Sequence, residues 1–185
     1  MTENDSVSKY KSKLSIKFNF KIYKYVVLTA IAVIFVDQIS KTLVYDKKPD
    51  IHIFWIFYFR YTLNSGAAFS LFSSSSVYVA LIAAATVVVL IVFSIKTYSV
   101  LQAIGFGLII GGAISNLSDR VFRHLNNSVI DFIYTKYWPT FNVADSCITI
   151  GIVVIIISYI RNESKIKSKA VQNSDNVSNS ENIGC

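Results

Sequence analysis

The chain has 185 residues, of which 53% are hydrophobic and only 16% are charged. Soluble domains of this size carry about a quarter of their residues as charges, so the composition excludes an ordinary soluble domain and predicts a membrane protein. The formal net charge of +7 does not indicate a nucleic-acid partner, because the lysines gather in residues 1–24 and after residue 160, where they flank apolar segments.

Four apolar segments approach the roughly 20 residues that a membrane-spanning helix needs. They extend approximately over residues 25–44, 77–95, 100–117 and 143–160. A cleaved signal peptide is the alternative for the first segment, because lysines precede it. No small-residue cleavage site follows, and the chain continues into polar residues, so we expect a retained helix. The third segment contains glycines that predict a slim face for a closely approaching helix, namely Gly105, Gly107, Gly111 and Gly112.

Basic residues near the ends of these segments predict the orientation of the chain. Six lysines precede the first segment, Lys96 lies in the short second link, and Arg161 and three lysines follow the fourth. Four crossings place all of these on one side, so we expect both termini in the cytoplasm. The predicted organisation is a basic cytoplasmic segment over residues 1–24, a four-helix transmembrane domain over 25–160, and a polar, disordered cytoplasmic tail over 161–185.

The two outer links contain aromatic and β-branched residues. Residues 51–62, IHIFWIFYFRYT, are too few to cross a bilayer and predict a strand or strand pair lying at the membrane interface. A simple aromatic anchor in the headgroup layer is the alternative. Residues 129–134 and 138–141 of the second outer link are also expected at the interface.

Ionisable groups at membrane depth are costly, so each is a candidate functional residue. Asp37 and Lys41 lie four residues apart on the first helix, which allows an ion pair with either a structural or a substrate-binding role. Asn116, Asp119 and Arg120 end the third helix. We expect Asp119 to pair with a nearby cation and to act structurally, because an acid held ionised beside a cation is a poor proton shuttle.

Asp131 and Asp145 are the strongest candidates for chemistry. No spanning segment lies between them, so both are on the same side of the membrane, and only 13 residues intervene. The apolar neighbours of Asp131 predict a raised pKa, whereas the N-terminal dipole of the fourth helix favours an anion at Asp145. Two such carboxyls sharing a proton can act as acid and base on water. The alternative for each is an ordinary helix cap or interfacial acid.

Four segments together resemble the lipoprotein signal peptidase family, also called signal peptidase II. They are DQISK at 37–41, NSGAAF at 64–69, GGAISNLSDR at 111–120, and the pair VIDFI at 129–133 with FNVADS at 141–146. The resemblance implies an all-α membrane fold of four transmembrane helices with a small interfacial β element and a short extracytoplasmic helix in the second outer link. Two departures are Ser115, where the family usually has Gly, and a link between the two acids that is shorter than in many members.

The resemblance also implies a role for each matched residue. Asp131 and Asp145 are the catalytic pair, whereas Asp119 corresponds to a non-catalytic position. Which carboxyl starts ionised stays open, although the helix dipole favours Asp145 as the base. The supporting and substrate-binding positions are Asn64, Gly66, Asn116, Arg120, Asn142, Asp37 and Lys41.

The implied activity is removal of the signal peptide from a bacterial prolipoprotein whose cysteine carries diacylglyceryl, by a cut just before that cysteine. The implied site is the outer face of the cytoplasmic (inner) membrane, where lipids surround a monomeric enzyme. Neither a metal nor a cofactor is expected. Two rival hypotheses are a small transporter or channel subunit and a structural assembly protein. A transporter requires polar residues through the membrane depth, but the second segment has no ionisable group and the fourth has only Asp145.

Overall fold

The computed structural model describes residues 19–65 and 76–182. Within these ranges four helices are long and apolar enough to cross a membrane, as predicted. The first three begin and end within five residues of the predicted bounds, and their apolar outer surfaces are exposed, which suits contact with lipid. The helices are α1 Phe20–Lys47, α2 Ser76–Ser94, α3 Val100–Phe122 and α4 Val143–Asn182.

Helix α4 continues well beyond its apolar part. The sequence predicts a disordered tail from residue 161, whereas the helix runs on to Asn182. Residues 161–182 contain neither proline nor glycine, so nothing in this polar stretch interrupts the backbone hydrogen bonds of the helix. The polar region therefore begins as an extension of the membrane helix.

Helix α3 lies at the centre of the bundle and packs against α1 and α4. Its glycines face both neighbours rather than forming the single slim face that the sequence predicted. A Cβ added to Gly111 would lie 2.7 Å from the carbonyl oxygen of Ala30 on α1, and one added to Gly112 would lie 2.6 Å from that of Ala144 on α4. The backbone of α3 can therefore approach two helices closely at once.

The two outer links form one antiparallel sheet with strand order β1-β2-β3-β4. The strand pair predicted in the first link is confirmed. The short helix expected in the second outer link is wrong, because residues 123–128 form turns and the rest of that link forms a hairpin. Pairing with β2 satisfies the backbone polar groups of the β-branched segment around Asp131. The strands are β1 Asp50–Phe54, β2 Phe57–Asn64, β3 Val129–Thr135 and β4 Trp138–Phe141.

Strand β3 joins the sheet to the helices. Its first four residues, Val129 to Phe132, are all buried, and β3 contacts both α1 and α3. Ile130 and Phe132 pack with Val44 of α1 in a small apolar core. Because side chains alternate across a strand, this anchoring fixes the opposite direction for Asp131.

Candidate active site

Asn142, immediately before α4, lies between the two candidate acids. Its side-chain Oδ1 accepts a hydrogen bond of 2.9 Å from the backbone N–H of Asp145, and its own backbone N–H donates to Asp145 Oδ2 at 3.1 Å. This reciprocal pattern is a capping box, with Asn142 as the N-cap of α4. The carboxyl of Asp145 is thus held in the first helical turn, where the helix dipole favours negative charge.

The other end of the Asn142 amide reaches Asp131. Because Oδ1 accepts from the helix, Nδ2 is the end that faces Asp131 Oδ1, to which it donates at 2.7 Å. Asn142 and Asp131 are fully buried. One residue therefore binds both carboxyls, Asp145 through its backbone and Asp131 through its side chain.

Each carboxyl accepts a second hydrogen bond from another asparagine. Asn64, the last residue of β2, donates to Asp131 Oδ2 at 2.8 Å. Asn116 of α3 donates to Asp145 Oδ1 at 2.9 Å. The donors come from β2, α3 and the start of α4, so the geometry of the pair depends on the packing of three separate segments.

Burial raises the pKa of Asp131 to about 6 from its ordinary value of 3.8. The nearby carboxyl of Asp145 also contributes to this increase, while the hydrogen bonds from Asn64 and Asn142 and the charge of Lys41 oppose it. Desolvation is the largest of these effects, as the apolar neighbours of Asp131 predicted. A carboxyl with this pKa can both hold and release a proton near neutral pH.

Behind the two acids lies a group of three fully buried charged residues, Asp37, Lys41 and Asp119, here called the ion cluster. Lys41 Nζ is 2.6 Å from Asp37 Oδ2 and 2.9 Å from Asp119 Oδ2. It also donates to Asn116 Oδ1 at 2.7 Å. The predicted pair of Asp37 and Lys41 is confirmed as an ion pair, with Asp119 as a second acidic partner.

The ion cluster is connected directly to the segments that carry the two acids. Asp37 Oδ1 accepts from the backbone N–H of Ala144 at 2.8 Å, which satisfies a free donor in the first turn of α4. Asp119 Oδ2 accepts from the N–H of Ile130, the residue before Asp131, at 3.3 Å. Charges on α1 and α3 therefore hold the beginning of α4 and the beginning of β3.

Three residues outside the predicted set complete this network. Gln38 donates to Asp119 Oδ1 at 2.9 Å and to Ser115 Oγ at 3.0 Å, and Ser115 donates to Asp37 Oδ2 at 2.7 Å. Arg123 is the nearby cation of Asp119, with Nε 2.9 Å from Oδ1. The sequence contained a signal for Arg123, which lies one helical turn after Asp119.

Arg120 is half-buried at the end of α3. Its Nη1 donates to the backbone oxygen of Asn116 at 3.2 Å, and its charge acts on both Asp131 and Asp145. Of the predicted site residues, the structure brings together all except Gly66, which lies outside the described residues. Among the described side chains, no group of three or more His, Cys, Asp and Glu could hold a metal ion.

Both the sequence and the fold of this chain are similar to those of known proteins. Residues 29–161 match the family model described as signal peptidase (SPase) II. A lipoprotein signal peptidase of Streptomyces griseus is 39% identical over 147 residues, which cover 74% of each chain. One of Rickettsia africae is 33% identical over 159 residues, covering 79% of this chain and 78% of the relative. A solved bacterial membrane enzyme matches with a TM-score of 0.65 and 29% identity, over 72% of this chain and 91% of its own.

Proposed function

Since this chain belongs to the signal peptidase II family and is therefore an aspartic peptidase that processes lipoproteins in the membrane, we propose that Asp131 and Asp145 are its catalytic carboxyls. The observation that supports this assignment best is the double attachment of Asn142, which binds Asp131 at 2.7 Å and Asp145 at 3.1 Å. Two carboxyls that bind the side chain and the backbone of one buried residue lie in the same site, as a catalytic pair that shares a proton and a water molecule requires.

We also propose a location and a substrate. Asp131 lies on β3, outside the membrane-spanning helices, and Asp145 lies in the first turn of α4, so the pair sits at one surface of the bilayer. The lysines and arginines near the ends of the apolar segments favour a cytoplasmic location for both termini, which puts this surface at the outer face of the cytoplasmic membrane. The substrate is a prolipoprotein whose cysteine carries diacylglyceryl, because its lipid and apolar signal helix stay in the bilayer beside the site. The enzyme acts as a monomer.

In the first chemical step, one carboxyl is ionised and the other is protonated. The ionised carboxyl takes a proton from water as the water oxygen attacks the carbonyl carbon of the residue before the lipidated cysteine. The protonated carboxyl gives its proton to the carbonyl oxygen, which produces a neutral tetrahedral diol. We assign the initial proton to Asp131, because burial favours its neutral form, and the initial negative charge to Asp145, because it lies at the helix N-terminus.

In the second step the two acids exchange roles. Asp145, which now carries the proton from water, donates it to the leaving nitrogen as the C–N bond breaks. Asp131, now ionised, takes a proton from one diol hydroxyl as the new carboxyl group forms. The products are the signal peptide with a free carboxyl terminus and the lipoprotein with an amine on its lipidated cysteine, and the pair returns to its initial protonation state.

The surrounding residues keep the pair in a reactive geometry. Asn64 and Asn142 orient Asp131, and Asn116 connects the charge of Lys41 to Asp145. Arg120 adds positive potential, which favours the ionised member of the pair. Such fixed dipoles and charges lower the cost of reorganisation during the reaction.

The assignment is tested by cleavage of a purified lipidated prolipoprotein. Asp131→Asn and Asp145→Asn remove a titratable proton while keeping nearly the same shape, and each should lose turnover by several orders of magnitude. Asp50→Asn is the matched control, because Asp50 is an exposed acid that pairs with Arg60 at 2.8 Å on the hairpin. Near-normal turnover in either folded site variant refutes the assignment.

A further inference from the structure

A second cation faces the ion cluster from the edge of the bundle. Arg123 is the first residue after α3, and its side chain is 18% exposed, whereas the Asp119 side chain that it contacts is fully buried. The contact between Arg123 Nε and Asp119 Oδ1 is 2.9 Å. Asp119 therefore lies between two cations, with Lys41 on its other oxygen at 2.9 Å.

Arg123 balances the charge of the ion cluster. The ion cluster contains two carboxylates, Asp37 and Asp119, and one ammonium group, Lys41. These three residues alone carry a net charge of −1 in a fully buried position, which is costly without a counter-ion. Arg123 supplies that counter-ion and brings the set to neutrality.

The guanidinium group of Arg123 also ties the end of α3 to α1. Its Nη2 donates to Thr42 Oγ1 at 3.0 Å and to Gln38 Oε1 at 3.0 Å, with a longer contact of 3.4 Å to the Gln38 backbone oxygen. The planar group therefore contacts an acid on one helix and neutral acceptors on another, which a lysine ammonium cannot reproduce with the same geometry.

The effect of Arg123 reaches the catalytic pair through Asp119. The second oxygen of Asp119 accepts from the N–H of Ile130, next to Asp131, and contacts Lys41, which donates to Asn116 beside Asp145. We propose that Arg123 is a positioning residue for the peptidase reaction, which balances the charge behind Asp131 and Asp145 and thereby sets the pH range in which they share one proton. This inference rests on the proposed assignment of the pair.

Several other charged groups lie near the pair, and together they determine how the loss of the Arg123 charge affects its protonation. Helix α1 contributes Asp37 and Lys41, and α3 contributes Arg120. Asp119 acts on Lys41 and Arg120, while Tyr61 of β2 faces Arg123 itself. Removing the charge of Arg123 leaves this set more negative. A more negative surrounding favours protonation of the pair, so both limbs of the pH–rate profile should move to higher pH.

The experiment is the pH profile of kcat/KM for a lipidated prolipoprotein, with purified full-length protein in bilayer discs. Arg123→Gln should shift both limbs upward by about half to one pH unit, as expected for the loss of one nearby charge. Arg123→Lys keeps the charge and should lower the plateau without moving the limbs. A merely structural role for Arg123 predicts a lower plateau in both variants and no shift in either.

Two control variants separate charge from contact. Thr42→Val removes a contact of Arg123 with α1 but no charge, so its limbs should stay in place. Arg60→Gln removes a cation that pairs with Asp50 on the exposed hairpin, and it should also leave the limbs in place. An equal shift in Arg60→Gln would show that overall charge, and not the position of Arg123, moves the profile.

A double variant tests the balance itself. Asp119→Asn alone leaves one positive charge in excess and should move the limbs downward, and adding Arg123→Gln should return them to the wild-type position. This comparison also serves if Arg123→Gln alone does not fold. If the limbs do not move in these variants, and Asp131→Asn and Asp145→Asn are inactive, the proposed role of Arg123 is wrong but the catalytic assignment stands. If Asp131→Asn or Asp145→Asn is active, the catalytic assignment itself is wrong.

Discussion

Replacing Gly112 by alanine perturbs the contact that sets the distance between α3 and α4. The new Cβ would lie 2.6 Å from the carbonyl oxygen of Ala144 and 2.8 Å from Ile148 Cγ1. Cβ contacts under 3.0 Å are essentially never found, and a helix carbonyl cannot rotate away from the new atom. The start of α4 must therefore move away from α3 by roughly half an ångström to one ångström.

This displacement should affect activity more than stability. Overpacking costs about 1–3 kcal/mol, but alanine regains about 1 kcal/mol of helix propensity over glycine, so the free energy of unfolding should fall by at most about 2 kcal/mol. Asp145 lies one residue after Ala144, and its bonds to Asn142 and Asn116 depend on the position of α4. A misplacement of about 1 Å in a catalytic group can reduce turnover on the order of 100-fold.

The measurement is turnover of a lipidated prolipoprotein together with thermal unfolding in the same detergent. Gly105→Ala is the matched control, because Gly105 also faces α4 but lies nearer the start of α3 and contacts a later part of α4. Its Cβ would meet the side-chain atom Ile155 Cγ1 at 2.7 Å, which can rotate away, and the Gly151 carbonyl oxygen at 3.1 Å. Turnover near the wild-type rate in Gly112→Ala, with an intact fold, would refute the idea that this contact positions Asp145.

Three further predictions concern the buried charges. Lys41→Met should lower the free energy of unfolding, measured by chemical unfolding, by about 3–5 kcal/mol, because two buried carboxylates lose their shared cation. Adding Asp37→Asn to this variant should restore part of the lost stability, and no recovery would contradict the charge argument. Asn64→Leu removes the 2.8 Å hydrogen bond that favours the ionised form of Asp131, so the pKa of Asp131 should rise above about 6. NMR of labelled aspartate measures this pKa, and an unchanged value would contradict the hydrogen bond. The pKa of Asp131 is raised from 3.8 to about 6, so the folded protein binds more protons than the unfolded chain in this pH range. The free energy of unfolding should therefore fall by about 1–3 kcal/mol as the pH rises from about 4 to above about 6. Asp131→Asn should remove this contribution, and an equally steep pH dependence in that variant would contradict it.

The elements that follow from short stretches of sequence were predictable. The four spanning helices depend on the apolar character of about 20 consecutive residues, and the first hairpin depends on β-branched and aromatic residues, all of which can be identified without knowing the rest of the fold. The ion pair of Asp37 and Lys41 was also predictable, because residues four apart lie on the same side of any helix.

Other features depended on contacts between distant residues. Gly105 and Gly112 face α4 while Gly107 and Gly111 face α1, and glycine spacing alone does not say how many helices approach. The second outer link forms strands because β2 is available as a partner.

The sequence by itself determined that this chain is a four-helix membrane protein and that Asp131 and Asp145 lie on one side of the bilayer. Hydropathy and helical spacing are local properties, and the topology of a short link is a matter of chain connectivity, so both can be obtained from the order of residues. Only the tertiary structure decided that Asn142 binds both acids and that Lys41 of α1 pairs with Asp119 of α3 behind them. Those contacts join side chains from separate helices and strands, and their existence depends on ångström-scale packing that no local pattern encodes.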